Sequence, residues 1–385
     1  MQHPVLFFNK KILIISPNNW GKIHVSKHHY AIELLSRGNE IYFLEPAISK
    51  NKKGFSVRVE EYGINVVTQH IHAFAEYLRF KARWLYNIYC FYFIKKLLKN
   101  INQKFDFIWC FETNLYSNLK WFNAKYIIYQ PVDLLVYDFQ KVIAKNSNIA
   151  FSVSEVIVQQ LKLFNSKSFF VNHGLNNHFK IIAEASLNLL QNESLKNTNT
   201  ICVAFVGNLL RPEINRELII SLIKKYPQTT FNFWGPSNLS ESNVDGDRSY
   251  EVKEFINKLH HASNVNMHGV LGGTELAKKL VENDIMLLPL KYTNNYEGSN
   301  SHKIMEYLST GKVIVSNFIS TYSNSNLLEM AASDNLEEIE SVFYKVYSNI
   351  AFYNSKEKMK QRIIYALDNT YKRQTDKIQD QINKG

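Results

Sequence analysis

Short apolar runs alternate with segments of helical spacing along the first half of the chain. Residues 11–16, KILIIS, form one such run, and residues 26–37 follow with helical spacing and end at Gly38, a residue type that commonly terminates helices. Further apolar runs of strand length, with helical patterns between them, are EIYFLEP, FDFIWCF, KYIIYQ, NIAFSV and KSFFVN. This alternation predicts repeated strand–helix units around a parallel sheet.

The same alternation returns after residue 200. The strand pattern ICVAFVGN at 201–208 precedes a predicted helix over 212–225, with Pro212 in its first position. Further strands are predicted at TTFNFWG, VNMHG, DIMLLPL and KVIVSN, and helices near 251–260, from Thr274 and over SHKIMEYLST. The polar stretch 180–200 between the two halves is interpreted as a linker or its edge.

These patterns predict an α/β protein with two Rossmann-like, doubly wound parallel-sheet domains that face each other across a cleft. We assign residues 1–180 to the first domain and 181–364 to the second, and we expect a C-terminal helix near 365–385 to pack back on the first. Ligands of such sheets bind beyond the carboxyl ends of the strands. This rule selects the loops after Ser16, Gly207, Gly235, Gly269 and Leu290.

Composition narrows the class of protein without identifying a ligand. The 385 residues are 45% hydrophobic, and the formal net charge of +11 favours an anionic partner such as a nucleotide phosphate, a nucleic acid or a lipid surface. Cys90, Cys110 and Cys202 lack the spacing of a zinc site or a disulfide framework, which fits a reducing compartment. The apolar run 84–94 is too short to span a bilayer. We expect a cytoplasmic protein that uses no metal.

The segment between DIMLLPL and KVIVSN carries polar side chains at the start of a predicted helix. Ser299 or Ser301 can cap this helix, which leaves first-turn N–H groups and the positive helix end for an anion. Gly298 lets the backbone approach a ligand, and Asn300 and His302 stand at the same end. The pattern therefore predicts a diphosphate site at the helix start.

Lys303 and Glu306 follow within the next turn of the same helix and share a face with Ser299. Lys303 can neutralise phosphate charge, and Glu306 can accept hydrogen bonds from the two hydroxyls of a ribose. One helix would then bind both the charged and the neutral parts of a nucleotide. The alternative is an ordinary i,i+3 surface ion pair worth about 0.2–0.5 kcal/mol.

The stretch NVNMHGVLGGTELAKKLVENDIMLLPLKY…GSNSHKIMEYLSTGKVIVS resembles, over more than fifty residues, the donor-site region of retaining glycosyltransferases with the GT-B fold, above all glycosyltransferase family 4. The segments AFVGNLLRPEINRELIISLIKKYPQTTFNFWGP and, more loosely, ILIISPNNWGKIHVSKHHYAIELLSRGNEIYFLEP resemble the first unit of each family domain. The resemblance implies a nucleotide-diphosphate sugar bound mainly by the second domain. It also implies hexosyl transfer with retention by front-face attack, with basic side chains in place of a metal.

The sequence departs from the family pattern in two places. The family carries a glutamate eight positions before the ribose-binding one, whereas here that position is Gly298 and Glu297 lies nine residues before Glu306. We keep Glu297 as a candidate catalytic residue on the donor sugar. The second departure is Lys312 after Gly311, where the family has proline, and we expect this change to be structural.

The strand ending AFVG supplies further candidates. Gly207 permits close approach of a ligand, Asn208 follows it, and Arg211 can chelate phosphate oxygens with its planar guanidinium. In the family a basic residue near this position often neutralises the diphosphate, so Arg211 joins Lys303 as a candidate catalytic residue. The alternative is a solvated arginine beside Pro212.

Two other strand ends carry candidates. His268, Gly269 and Val270 end a strand at which the resemblance implies backbone contacts to the nucleobase. In the first half, the resemblance brings Gly21 near the donor phosphates, although a plain turn glycine with positive φ is equally compatible. His28, at the start of the following helix, is a candidate catalytic residue with an ordinary packed histidine as the alternative.

Residues 74–100 predict one long helix that interleaves six basic residues with many aromatic ones. Such a helix can lie on an anionic membrane surface, which would suit a lipid-linked acceptor, or it can cross over the sheet with a buried aromatic face. Asp133 is a candidate acceptor-side carboxylate, with a helix N-cap as the alternative that we favour.

The favoured function is a glycosyltransferase that transfers a sugar from a nucleotide-diphosphate donor to a glycan or lipid-linked acceptor, in cell-surface polysaccharide or glycolipid synthesis. A nucleotide-sugar epimerase of the same fold is the alternative enzyme, with Glu297 and His28 as its acid–base pair. A non-catalytic nucleotide-sugar-binding protein is the third hypothesis. Nucleic-acid binding is disfavoured because the basic residues are spread out and no such motif is present.

Overall fold

The structure, a computed structural model, describes residues 6–21, 23–49, 54–71, 73–101, 104–192, 200–238, 247–291, 300–333 and 335–384. The chain divides into two compact units, residues 1–172 with 371–385, and residues 173–370. The boundary therefore follows residue 172, whereas the sequence suggested residue 180.

The first unit is a mainly parallel sheet with helices on both faces. Up to residue 172 its elements are β1 (Lys11–Ile15), α1 (Ser26–Ser36), β2 (Glu40–Leu44), β3 (Ile48–Ser49), β4 (Gly54–Val59), β5 (Asn65–Ile71), α2 (Ala73–Lys81), α3 (Arg83–Ile101), β6 (Phe107–Cys110), β7 (Tyr126–Tyr129), α4 (Asp138–Asn146), β8 (Ile149–Ser152), α5 (Glu155–Lys162) and β9 (Ser168–Phe170). Among the described residues the strand order is β3-β5-β2-β1-β6-β7-β8-β9, and β4 pairs antiparallel with β5. The order reverses between β1 and β6, where sheets of this kind open a ligand crevice.

The alternation along β1 accounts for its central place. Leu13 and Ile15 pack in the cluster that includes α3, and Ile12 and Ile14 pack on the other face with α1. None of the four is more than 1% exposed. A strand covered on both faces has a continuous apolar sequence, which is why KILII is recognisable in the sequence.

The second unit is also a parallel sheet covered on both faces. Its elements are α6 (Asn177–Asn192), β10 (Cys202–Val206), α7 (Arg216–Lys225), β11 (Thr230–Trp234), α8 (Tyr250–His261), β12 (Val265–Met267), α9 (Gly273–Leu280), β13 (Ile285–Leu288), α10 (Lys303–Ser309), β14 (Val313–Ser316), β15 (Glu329–Met330), α11 (Leu336–Ser348), α12 (Ile350–Tyr353) and α13 (Lys356–Leu367). In its described residues the order is β12-β11-β10-β13-β14-β15, with all pairs parallel. The order reverses between β10 and β13.

The last helix, α14 (Tyr371–Lys384), belongs to the first unit although it follows the second in sequence. Ile378 and Ile382 lie in the same apolar cluster as α1. At the rim of this contact Arg37 forms an ion pair of 2.8 Å with Asp376. The second unit is therefore inserted before the final helix of the first.

The predicted fold class, two Rossmann-like α/β domains with parallel sheets, is confirmed, but three local predictions are wrong. Residues 180–192 are part of α6 and not a linker, because Phe179 and Ala183 lie on a buried helix face. The helix predicted from Pro212 starts at Arg216, because Asn215 caps it by accepting the N–H of Leu218 at 3.0 Å.

The single helix predicted over 74–100 is two helices, α2 and α3, on either side of Ala82. Arg83 starts α3 and is fixed by donating to the carbonyl of Asn114 at 2.8 Å and to the hydroxyl of Ser117 at 3.0 Å. Tyr86 and Cys90 are buried, whereas a second set of large apolar side chains on α2 and α3 is exposed: Phe74, Tyr77, Phe80, Trp84, Leu85, Ile88 and Tyr92. The α2–α3 segment therefore combines a buried face with an exposed aromatic face.

Candidate donor site

α10 begins beside the point where the strand order of the second sheet reverses. It follows the loop after β13, and the predicted site residues Glu297, Gly298 and Ser299 lie outside the described residues. The helix has seven residues and starts at Lys303, and every side chain from Ile304 to Ser309 is buried. α10 thus starts at Lys303 rather than at the predicted Ser301. Glu306 is buried within the second unit.

Tyr307 bridges the gap between β10 and β13, a role that the sequence analysis did not assign. Its hydroxyl accepts a hydrogen bond of 2.7 Å from the backbone N–H of Val206 and lies 3.5 Å from the carbonyl oxygen of Leu287. In the described residues β10 and β13 pair only at Val203 and Ala204, so the hydroxyl occupies the place of a missing ladder contact. Burial raises the pKa of Tyr307, which keeps the phenol protonated.

Lys303 and Glu306 form a largely buried ion pair. The distance from Nζ to Oε2 is 3.0 Å, and the two side chains are 19% and 9% exposed. Among the described residues nothing donates to the other carboxylate oxygen, Oε1, and the ammonium retains two further N–H groups. The i,i+3 pair of the alternative is therefore present, but it is largely buried rather than on the surface, and both side chains retain bonding capacity for a ligand.

The residues before α10 are held by the start of the same unit. The hydroxyl of Ser301 accepts the N–H of Lys303 at 3.3 Å, but the cap position of α10 is His302, so Ser301 is not the predicted N-cap. The carbonyl oxygen of Asn300 lies 2.7 Å from Nε2 of His173, and the rings of His173 and His302 meet edge to face at 6.1 Å. His173, which follows β9, therefore positions the segment that precedes the pair.

Glycines end three neighbouring strands near this site. The N–H of Gly207 donates to Trp234 at 2.9 Å, and the N–H of Gly235 donates to Gly269 at 2.8 Å. Gly235 has a φ of +130°, and a Cβ there would lie 2.1 Å from the carbonyl oxygen of Gly207. The close approach that we predicted at Gly207 is thus an approach of two protein backbones, which packs the loops after β10 and β11 together.

Arg211 is paired within its own loop. Its guanidinium donates to both carboxylate oxygens of Glu213, at 2.6 and 2.9 Å, and the arginine side chain is 42% exposed. Asn208 closes the preceding turn by accepting the N–H of Leu210 at 3.0 Å. A phosphate would have to replace Glu213 on Arg211, which is feasible because exposed pairs of this kind contribute only about 0–1 kcal/mol.

His268, Gly269 and Val270 follow β12 on the same edge of the sheet. The His268 ring stacks on Trp234 at 4.6 Å, and its Nε2 lies 3.0 Å from the side-chain oxygen of Asn232. Burial lowers the pKa of His268, so the ring is neutral at pH 7. Val270 is 38% exposed, and Gly269 has a φ of +68°. The segment offers a flat aromatic support and accessible backbone.

His28 does not have the environment of a catalytic group. Its side chain is fully buried, Nδ1 accepts the N–H of Val25 at 3.1 Å, and Nε2 lies 3.0 Å from the carbonyl oxygen of Asn19. The ring stacks on Phe43 at 5.0 Å, and burial lowers its pKa to about 4. These contacts contradict the predicted catalytic role and assign His28 to holding the loop after β1.

The structure also excludes one alternative each for Gly21 and Asp133 in the first unit. Gly21 is exposed and does not have a positive φ, so the alternative of a positive-φ turn residue is wrong. A Cβ at Gly21 would meet nothing within 4 Å. Asp133 is not an N-cap, because α4 starts at Asp138 with Tyr137 in the cap position. Asp133 therefore stays a candidate ligand-side carboxylate.

The described residues contain neither a metal-binding cluster nor a membrane-spanning helix. No group of three or more histidine, cysteine, aspartate or glutamate side chains is arranged to hold a metal ion. Across the same residues, no helix has the length and apolar character needed to cross a bilayer.

Comparison with known proteins identifies the fold. No protein-family model and no curated protein matches the sequence. A sucrose-phosphate synthase from Thermosynechococcus elongatus has a TM-score of 0.70 at 11% identity, with 97% of this chain and 99% of that chain covered. A glycosyltransferase from Rickettsia africae ESF-5 has a TM-score of 0.63 at 14% identity, with 98% of each chain covered.

A UDP-forming α,α-trehalose-phosphate synthase from Burkholderia xenovorans, in complex with glucose-6-phosphate, has a TM-score of 0.66 at 8% identity, with 97% of this chain and 100% of that chain covered. Identities this low establish the fold alone. The chain has the two-unit GT-B fold of these glycosyltransferases.

Proposed function

We propose that the protein is a glycosyltransferase that moves a sugar from a nucleotide-diphosphate donor to a glycan or lipid-linked acceptor, with retention of configuration, in cell-surface polysaccharide or glycolipid synthesis. The observation that supports it best is the Lys303–Glu306 pair beside the reversal point of the second sheet. Ligands of open α/β sheets bind at such points.

The chemistry of the pair fits the two parts of a nucleotide. Oε1 of Glu306 can accept a bond from a ribose hydroxyl, while the remaining N–H groups of Lys303 can donate to a phosphate. A purely structural ion pair would not need to leave these positions open. The pair would bind both groups without moving, and such preorganisation reduces the cost of binding.

In the proposed reaction the bond between the sugar anomeric carbon and the diphosphate oxygen breaks. An acceptor oxygen bonds to the same carbon from the same face and passes its proton to the leaving diphosphate. Negative charge grows on the diphosphate as the bond breaks. Lys303, with Arg211 after release from Glu213, would meet that charge, and contacts that strengthen in the transition state raise the rate. No protein nucleophile is required.

An acceptor at an anionic membrane is supported by the aromatic–basic surface, which we define as the exposed residues of α2 and α3. It comprises Phe74, Tyr77, Phe80, Trp84, Leu85, Ile88 and Tyr92 together with Lys81, Lys95, Lys96 and Lys99. On α3 the aromatic and lysine positions share one helical face. Exposed aromatics beside lysines suit the interface of an anionic bilayer, so we propose a peripheral position on the cytoplasmic face of the membrane.

A donor screen tests the function. UDP-, GDP- and other nucleotide sugars would be added to the full chain, and the shift of the thermal midpoint would be measured. We expect at least one donor to stabilise the wild type, and Lys303→Ala and Glu306→Ala each to weaken its binding at least tenfold. The matched control is Lys279→Ala, which removes an exposed i,i+3 lysine–glutamate pair of the same unit.

Two outcomes would count against the proposal. If no nucleotide sugar raised the thermal midpoint, the protein would have the GT-B fold without the ability to bind a sugar donor. Epimerised donor after incubation without acceptor would favour the epimerase, whereas acceptor-dependent release of the nucleotide diphosphate supports transfer.

A further inference from the structure

Lys27, the second residue of α1, is a buried lysine. It is 7% exposed, and among the described residues no acceptor hydrogen-bonds to its ammonium and no carboxylate forms an ion pair with it. Lysines this deeply buried are almost always paired. Burial lowers the pKa of Lys27 to about 8, so the side chain still carries its charge at pH 7.

The ammonium lies at the ligand-binding edge of the first sheet. α1 follows β1, and the strand order of this sheet reverses between β1 and β6. The charges that raise the pKa of Lys27 belong to Asp133, after β7, and Glu112, after β6. Lys27, in the first turn of α1, is therefore within electrostatic range of the loops that follow β6 and β7.

Neither carboxylate satisfies the ammonium. Oε1 of Glu112 accepts the backbone N–H groups of Asn114 at 2.5 Å and Leu115 at 3.0 Å, so Glu112 holds the loop after β6. Asp133 is exposed, and its charge raises the pKa of Lys27. α1 has eleven residues and no acidic side chain in its first turn, so no carboxylate of the helix itself offsets its positive end.

We propose that Lys27 binds an anionic phosphate group of the acceptor substrate at the carboxyl edge of the first sheet. This inference rests on the proposed function, because it takes the ligand of the first unit to be the acceptor. A phosphate on Lys27 would also lie at the start of α1, whose positive end favours an anion. The acceptor would then be a phosphorylated sugar, either soluble or attached to a lipid diphosphate.

The test observes Lys27 directly. Lysines of the full chain would be labelled with ¹³C-methyl groups, and the Lys27 signal assigned by its absence in Lys27→Arg. The probes are inorganic pyrophosphate, glucose 6-phosphate and vesicles carrying a polyprenyl diphosphate. A bound phosphate should raise the titration midpoint of Lys27 by about one pH unit or more, because a nearby anion favours the charged amine.

The two phosphate probes and the vesicles separate a soluble acceptor from a lipid-linked one. In addition, Lys27→Met should weaken the effective probe at least tenfold in calorimetry while leaving nucleotide-sugar binding within twofold of the wild type. An unchanged Lys27 midpoint with all three probes would overturn the inference. Donor binding is measured independently in the donor screen with Lys303→Ala. If the donor binds but the titration midpoint of Lys27 does not move, the inference about Lys27 fails while the proposed function stands; if no donor binds, the proposed function fails.

Discussion

The phenol of Tyr307 accepts a hydrogen bond from the backbone N–H of Val206 at 2.7 Å, although the two residues lie on different elements, α10 and β10. This contact fixes the helix that carries Lys303 and Glu306 to the strand at which the order of the sheet reverses. The same hydroxyl therefore positions the ion pair and connects β10 to β13.

Replacing Tyr307 by phenylalanine should destabilise the protein by about 1–3 kcal/mol, because the N–H of Val206 would be buried without a partner. Denaturant unfolding measures the change. Tyr344→Phe is the matched control, since Tyr344 is 62% exposed, and it should change the free energy of unfolding by less than about 0.5 kcal/mol. Equal effects of the two variants would contradict the bridging role.

The Lys303–Glu306 pair should be important for binding but dispensable for stability. Lys303→Ala leaves a buried carboxylate unpaired and should cost about 3 kcal/mol of unfolding free energy, whereas the double variant Lys303→Met/Glu306→Leu should return to within about 1 kcal/mol of the wild type. Thermal shift with the donor found in the screen should show no binding by the double variant. A stable double variant that still binds the donor would assign the pair a structural role only.

Gly235→Ala should destabilise the second unit strongly. Its φ of +130° is unfavourable for alanine, and the new Cβ would meet the carbonyl oxygen of Gly207 at 2.1 Å. We expect a loss of more than about 2 kcal/mol in denaturant unfolding. Gly272→Ala, with ordinary φ and no atom within 4 Å of the new Cβ, should have little effect. A tolerated Gly235→Ala would mean that the loops after β10 and β11 separate easily.

His28 should make stability depend on pH. Burial lowers its pKa from 6.5 to about 4, so the unfolded chain binds a proton at a pH where the folded chain does not. The contribution is complete above pH 6.5 and is lost as the pH falls from 6.5 towards 4; at pH 5 the loss is about 2 kcal/mol.

Comparison with His28→Phe isolates this contribution from the other titrating groups. The variant should be less stable than the wild type at pH 7.5, because it loses two hydrogen bonds, but the difference should shrink as the pH falls to 5. Unfolding free energies measured at several pH values provide the check. A constant difference across this range would mean that the pKa of His28 is the same in the folded and the unfolded protein.

The aromatic–basic surface should bind anionic vesicles. Sedimentation with phosphatidylglycerol vesicles should capture the wild type at low salt, and Trp84→Ala/Tyr92→Ala should reduce capture at least fivefold. Replacing Lys95, Lys96 and Lys99 by glutamate should abolish it, since each lysine near the surface contributes about 1 kcal/mol. Phe352→Ala removes an exposed aromatic on α12 and is the control. Equal capture by neutral vesicles would exclude an electrostatic membrane role.

The parallel strands and the α10 segment could be predicted because each signal is local. KILII and IMLL are continuous apolar runs, and the spacing of Lys303 and Glu306 follows from one helical turn. The two-sheet architecture then follows from the repeated strand–helix order. The β3–β5 strands were not predicted, and for β4 the reason is that GFSVRV is exposed in part and has no core-facing run of its own.

The candidate site was predicted less completely, because burial and partners depend on distant residues. The bridge from Tyr307 to Val206 joins positions 101 residues apart. Lys27 has no sequence signal that distinguishes it from a surface lysine. Only the folded chain reveals that its side chain is enclosed.

The insertion of residues 173–370 before α14 has a consequence for biosynthesis. The helix that covers α1 leaves the ribosome roughly 200 residues after the preceding part of its own unit, a delay of about 10–40 s at ordinary translation speeds. Throughout that interval the nascent chain exposes the apolar groove that Ile378 and Ile382 later fill. The groove is a target for chaperones during synthesis, and a premature stop after residue 370 would leave it permanently uncovered.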